Sequence, residues 1–204
     1  MPTRRLIAAV LCWGVLVCCC PGQVGAHDIK DWYGKIERGI LPPWSQYVQT
    51  MDYDSPTGKK YQEKFGPIWH HMHHYAYGLD EMYESFQNIS DPQVRKGLLK
   101  EAIADFDYVL DRADSGFVML PEILTKKGLA LMFLDRHVEA VASLKKAIAL
   151  KSDYVPAYVA LSDCFILAGD RENGMQMIRD GLKQSPSSPA LKSKLQELQA
   201  AQPK

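Results

Sequence analysis

Residues 121–154 read PEILTKKGLALMFLDRHVEAVASLKKAIALKSDY, and residues 155–188 read VPAYVALSDCFILAGDRENGMQMIRDGLKQSPSS. Laid over one another at a period of 34 residues, they align Gly128 with Ser162, Leu131 with Phe165, Ala140 with Gly174, Leu144 with Ile178 and Ala147 with Gly181. The small residues of that series let two antiparallel helices approach closely, and the large apolar ones fill the space between them. Agreement at about eight positions marks a repeat architecture, in which each helix pair buries its apolar face against the next.

The punctuation fits the same reading. Asp135 and Asp170 stand where second helices should begin, Gly169 is a helix-ending glycine, and Ser188-Pro189 reads as an N-cap with proline in the first turn. Helices are predicted over 121–134, 137–150, 155–168 and 171–184. A fifth, from Pro189 to about Gln199, gathers Leu191, Leu195 and Leu198 on one face. Such a capping helix covers the apolar flank of the last repeat.

This spacing of large and small residues, closed by Pro186, resembles the tetratricopeptide repeat (TPR). The resemblance implies an all-α superhelix of antiparallel helix pairs, which holds a protein or peptide partner on the concave face of the first helices. On that face stand Thr125, Leu129, Met132 and Phe133 of one repeat and Val159, Asp163, Ile166 and Leu167 of the next. They differ from the lysines and asparagines with which chaperone-type TPRs hold an acidic C-terminal carboxylate, so no such clamp is expected. The same apolar residues are equally compatible with burial under the capping helix or under N-terminal aromatics.

Upstream, Pro92 to Ala113 carries Leu98, Ala102, Ile103, Phe106, Val109 and Leu110 as a helical stripe, with Ala102 and Phe106 in the places of a second repeat helix. Its partner is predicted from Gly66 to Phe86, with Trp69 and Met72 opening the repeat and His73 at the small position. Residues 66–120 therefore read as a lengthened, degenerate TPR-like helix pair. Residues 27–65 form an N-terminal helical extension of two short helices broken at Pro42-Pro43, which dock Trp32, Tyr33, Trp44 and Tyr47, and Asp52 to Lys60 reads as a polar loop. Two TPRs, 121–154 and 155–188, and a capping helix and tail, 189–204, complete the chain. The stretch Trp69 to Leu79 is similar to a segment of secreted bacterial TPR proteins of unassigned function, which implies a bacterial-envelope setting.

Residues 1–26 read as a signal peptide. Arg4 and Arg5 precede an apolar run, Leu6 to Cys20, and the small residues of Val24-Gly25-Ala26 follow. The run is shorter than the roughly 20 residues that span a bilayer, so no membrane span is expected in the mature chain. Removing Arg4 and Arg5 from the 24 basic side chains leaves 22 against 24 acidic ones, a net charge of −2. That balance lacks the excess of cations with which proteins displace counterions from nucleic acid. Of five cysteines, Cys12, Cys18, Cys19 and Cys20 fall in the signal and leave Cys164 alone. With no intramolecular disulfide to draw on, helix packing must hold the fold.

The residues that could carry chemistry are few. His70-His71-Met72-His73-His74 places imidazoles one turn apart, and His70 with His74 are the candidates for a metal pair. Five helical positions sweep about 400° at 100° per residue, so the cluster cannot converge as a whole. The HExxH pattern, a nucleophile elbow and a phosphate-cradling glycine loop are all missing from the sequence, and no cofactor is called for. Asp105, Asp107, Asp111 and Asp114 read as a solvated face, and Asn88-Ile89-Ser90 as a formal glycosylation acceptor. The expected function is a non-catalytic scaffold or adaptor, exported to the periplasm or the extracellular space, that binds a polypeptide through the TPR concave face. The alternative is a metal- or small-molecule-binding protein using the His70–His74 helix. Export predicts a mature N-terminus at His27, read by mass spectrometry of the secreted protein; retention of Met1 contradicts it.

Overall fold

The computed structural model describes residues 29–200, which form ten α-helices and one 3-10 segment. Helices α1 (Ile29–Glu37), α2 (Ser45–Gln49) and α3 (Pro56–Phe65) come first, and the 3-10 segment Gly66–His71 leads into α4 (Met72–Gln87). Then follow α5 (Pro92–Leu110), α6 (Leu120–Phe133), α7 (His137–Leu150), α8 (Val155–Leu167), α9 (Arg171–Gln184) and α10 (Pro189–Ala200). Helix α4 pairs with α5, α6 with α7 and α8 with α9, and each pair stacks on the next. Helix α10 closes the array against α8 and α9, where Leu191 and Leu198 are buried beside Tyr158 and Ile178. This is the expected all-α array of helix pairs with an N-terminal extension and a capping helix. No helix of the described residues is long and apolar enough to cross a membrane. The signal-peptide reading of residues 1–26 lies outside the described residues.

Local chemistry sets several helix starts. The Ser55 hydroxyl accepts from Gly58 N (3.0 Å), with Pro56 in the first turn. This cap starts α3 inside the stretch 52–60 that the sequence had suggested was a loop, and the extension has three short helices instead of two. Asp91 accepts from the Gln93 and Val94 amides to begin α5, and Asp170 accepts from Asn173 N to begin α9.

The turns inside the two repeats are superimposable in their hydrogen bonds. Arg136 N donates to Leu131 O (2.9 Å) and Asp135 N to Met132 O (3.0 Å); 34 residues on, Asp170 N donates to Phe165 O (2.8 Å) and Gly169 N to Ile166 O (3.0 Å). Both turns need a left-handed residue, which is Gly169 (φ 81°) in one and Asp135 (φ 59°) in the other. Asp135 therefore ends α6 and does not cap α7, whose N-cap Arg136 makes no side-chain cap bond. That corrects the role expected for Asp135.

The pairs close where a side chain is missing. A Cβ on Gly128 would sit 2.7 Å from Leu144 Cγ, and one on Gly174 would sit 2.7 Å from Ile166 Cδ1 and 3.1 Å from Ser162 O. In the upstream pair the same contact falls at Gly78, where a Cβ would lie 2.6 Å from Phe106 Cε1. Gly78 is thus the small position of α4, five residues beyond the expected His73. The 3-10 segment displaces the start of α4 to Met72, and α4 and α5 run for 16 and 19 residues, against 13 or 14 in the helices of the following two pairs.

The extension is part of the main core. Trp44 lies 5.6 Å from Phe65, 5.9 Å from Trp69 and 6.0 Å from Tyr75, ring centre to ring centre, and Trp32, Leu41 and Val48 are buried in the same cluster. Lys35 of α1, itself buried, reaches Asp80 of α4 at 2.5 Å, Glu84 at 2.7 Å and Asp31 at 3.0 Å. Burial opposes the Lys35 charge, but its hydrogen bonds to Asp80, Glu84 and Asp31 outweigh that cost and raise its pKa. Removing either member of such a buried pair leaves an uncompensated charge, which costs on the order of 3–5 kcal/mol.

The tight contact at Gly174 makes a test of the packing. Gly174→Leu should cost on the order of 1–3 kcal/mol or more through overpacking. Replacing exposed Lys183 with alanine should cost about 0.5 kcal/mol or less. Equal shifts in chemical denaturation midpoint for the two variants would show that α8 and α9 do not pack in this register.

Candidate polypeptide-binding face

The structure divides the expected concave-face residues. Thr125 and Met132 are 3% and 4% exposed, and the Thr125 hydroxyl donates to Pro121 O within the helix (2.7 Å). They belong to the interior and present nothing to a partner, because α6 is packed by α4, α5, α7 and α8 at once. The periodicity of a helix enclosed on so many sides is too weak to show which of its faces is free. Ile166 is half-buried and leans over Gly174 in the α8–α9 joint, and Asp163 is tied to Lys194 of the capping helix at 2.9 Å. Leu129, Phe133 and Val159 are half-buried, and Leu167, at the end of α8, is 63% exposed. The N-terminal extension covers the opposite end of this face, where Ile36, Ile40 and Leu41 wall a cleft with Tyr75, Leu79 and Glu122. There the Tyr75 hydroxyl donates to Glu122 (2.6 Å), and burial, with Glu122 beside it, raises the Tyr75 pKa well above the usual phenol value.

Phe133 stands among residues that the sequence did not bring to attention. Phe86 of α4 meets it edge to face at 5.0 Å, and the Arg95 guanidinium of α5 lies 5.9 Å from its ring centre. A cleft of about 230 Å³ opens beside it, walled by Ile89, Pro92, Arg95, Lys96 and Leu134 among others. The available signal was Phe86 and Ile89, apolar residues flanking a turn, which sequence alone cannot distinguish from scattered surface residues.

The histidine helix is a different kind of surface. His70 is exposed against the Tyr53 ring (4.6 Å), and His71 Nδ1 lies 3.3 Å from the Tyr108 hydroxyl. His74 stacks on Tyr108 (3.7 Å between ring centres) and pairs through Nδ1 with Asp105. Burial, and then His74, lower the His73 pKa; burial, and then Arg112, lower that of His71. Among the described residues, no three His, Cys, Asp or Glu side chains are gathered as a metal ion would need, and His70 and His74 take separate partners.

The corrected register explains why these polar groups sit there. With Gly78 set on Gly128 and Phe106 on Leu144, His74 occupies the place of Leu124, Glu81 that of Leu131 and Asp105 that of Ser143. In the α6–α7 pair, Leu124 packs with Leu110 of the preceding pair, and Leu131 is buried. No repeat precedes α4 among the described residues, so the equivalent face is polar, as terminal repeats require. Asp107, by contrast, is no solvated bystander: it pairs with Lys127 at 2.5 Å and ties α5 to α6.

Glu81 is the strained member of this end face. Burial, followed by the nearby carboxylates of Asp105, Glu101 and Asp80, pushes its pKa up to about 9. An acid whose folded pKa lies above its unfolded value supports the fold fully below the unfolded pKa, near 4.5, and loses that support as pH rises through about 9. Glu81→Gln should therefore raise stability by on the order of 1 kcal/mol or more near pH 8 and by little near pH 4. Thermal melts of both proteins across that range would show a flatter profile for the variant; parallel profiles would contradict the assignment.

Comparison with known proteins places this geometry. Residues 121–154 match the tetratricopeptide repeat family. No curated protein matches the chain. Among solved structures, it is similar to the first TPR of Spaghetti (RPAP3) bound to HSP90 peptide SRMEEVD, at 19% identity and a TM-score of 0.43, over 62% of this chain and 96% of that one. The matched residues are the α6–α7 pair, so a tetratricopeptide repeat stands at 121–154 within this array of helix pairs.

Proposed function

We propose that the protein is an exported adaptor of the cell envelope, without catalytic activity of its own, that holds a polypeptide partner along α6 and α8 at Leu129, Phe133, Val159 and Leu167. The observation that carries this reading is accessible apolar surface on neighbouring helices of a TPR array, most of all Leu167 at 63% exposure. Exposed apolar groups in line along stacked helices suit a chain that buries side chains of its own against them. Residues 27–65 and 66–120 act as a fixed platform, 121–154 and 155–188 as the binding array, and 189–204 as its cap. Export rests on Arg4, Arg5 and the apolar run Leu6 to Cys20.

The test starts with a partner recovered on the mature chain from envelope extract and then purified. Phe133→Ala should weaken its binding by more than about 1 kcal/mol, the mark of an anchor residue, while circular dichroism stays unchanged. Because Phe133 also packs on Phe86, Leu167→Ser serves as a second variant that disturbs no core contact. Undiminished affinity in both variants would overturn this assignment.

A further inference from the structure

Three of the large apolar side chains that stand in solvent fall in one stretch: Phe86 (39% exposed), Ile89 (65%) and Val94 (44%). They flank the turn from α4 to α5; Ile89 walls the cleft beside Phe133 and Phe86 packs on that ring, and the cleft's volume of about 230 Å³ has room for one branched or aromatic side chain.

Its electrostatics are one-sided. Arg95 and Lys96 both line the cleft, and among the described residues neither makes an ion pair with a carboxylate. Arg95 Nε is moreover buried without a hydrogen-bond partner. The single acid on the wall, Asp135, is turned outward with its side chain 94% exposed, 3.9 Å from His137 Nε2. A guanidinium laid over an aromatic ring keeps its edge for a carboxylate, which it can meet with two parallel N–H bonds. A donor left unsatisfied in the free protein adds to the gain when a partner supplies the acceptor.

We infer that this cleft reads the partner segment, taking a large apolar side chain beside Phe133 and the side-chain carboxylate of an adjacent Asp or Glu at Arg95, with Lys96 adding charge. The inference rests on the reading of the α6 face as a binding surface and specifies the chemistry of what binds there. It uses the edge formed by the α4–α5 and α6–α7 turns, and the carboxylate is an internal one, so it needs no chain terminus.

A library of random peptides displayed as N-terminal fusions, which have no free C-terminus, should be selected on the intact mature chain. The expected consensus has an acid next to Leu, Ile or Phe. A selected peptide, made synthetically, should lose affinity about tenfold or more on Arg95→Glu, less on Lys96→Glu, and an intermediate amount on Arg95→Lys, which keeps the charge but not the fork. Changing the acid of the peptide to its amide should cost a similar factor on the wild type and add little on Arg95→Glu, the signature of a direct pair. Lys96 is exposed, so its variant keeps the test decisive if Arg95→Glu melts early. Absence of any enriched peptide, a consensus without an acid, or unchanged affinity in both charge reversals would overturn the inference. Affinity lost on Leu167→Ser but retained on Arg95→Glu would leave the α6–α8 face in place and remove the acid-reading cleft.

Discussion

The fold depends on paired helices approaching until there is no room for a side chain between them. Phe106 lies over Gly78, Leu144 over Gly128 and Ile166 over Gly174, each where an added Cβ would come within 2.7 Å. At that distance the large residue of one helix fills what would otherwise be a groove, and ridges interlock with little void. Every pair is therefore a stiff unit, and stacking such units buries a main core from Trp32 to Cys164 and a second cluster of Tyr158, Ile178, Leu191 and Leu198 beneath the cap. The repeated turn with a left-handed residue at Asp135 and Gly169 is the second part of this constraint, because it returns the chain at the angle the close approach demands.

The N-terminal extension is built into the core of the array. Its Trp44 completes the aromatic layer around Trp69 and Tyr75, Trp32 packs edge to face on Tyr77, and Lys35 fixes α1 to α4 through a buried charge pair. Burial makes such a pair specific more than strong: a shifted register would strand Asp80 without its cation. The same extension occupies the end of the first-helix face near Tyr75 and Glu122, which leaves Leu129, Phe133, Val159 and Leu167 as the accessible apolar residues of that face. Accessible surface and core are thus set by one packing event.

Polar residues along α4 and α5 follow from their place at the end of the array. Inner pairs put Leu124 and Leu131 against a neighbour; the α4–α5 pair, with no helix pair before it among the described residues, carries His74 and Glu81 instead. Burial on this face, and after it the carboxylates of Asp105, Glu101 and Asp80 held close by, raise the Glu81 pKa.

What the sequence determined by itself was the part governed by local and periodic rules. Spacing of small and large residues located α6 to α10 to within a residue or two, and Asp170 and Ser188 announced helix starts through side chains that cap their own backbone. The burial of Leu191 and Leu198 was legible for the same reason. Tertiary structure decided the rest. His73 looked like the small residue of the first pair because its distance from Trp69 fitted, yet a 3-10 segment moved the helix start and gave that place to Gly78. Thr125 and Met132 looked like surface, yet α6 is enclosed on too many sides for one apolar stripe to mark its interior. Arg95 carried no pattern and Ile89 only that of an apolar residue beside a turn, and they meet Phe133 only because two helix pairs stack, a contact between residues roughly forty positions apart that no local period encodes.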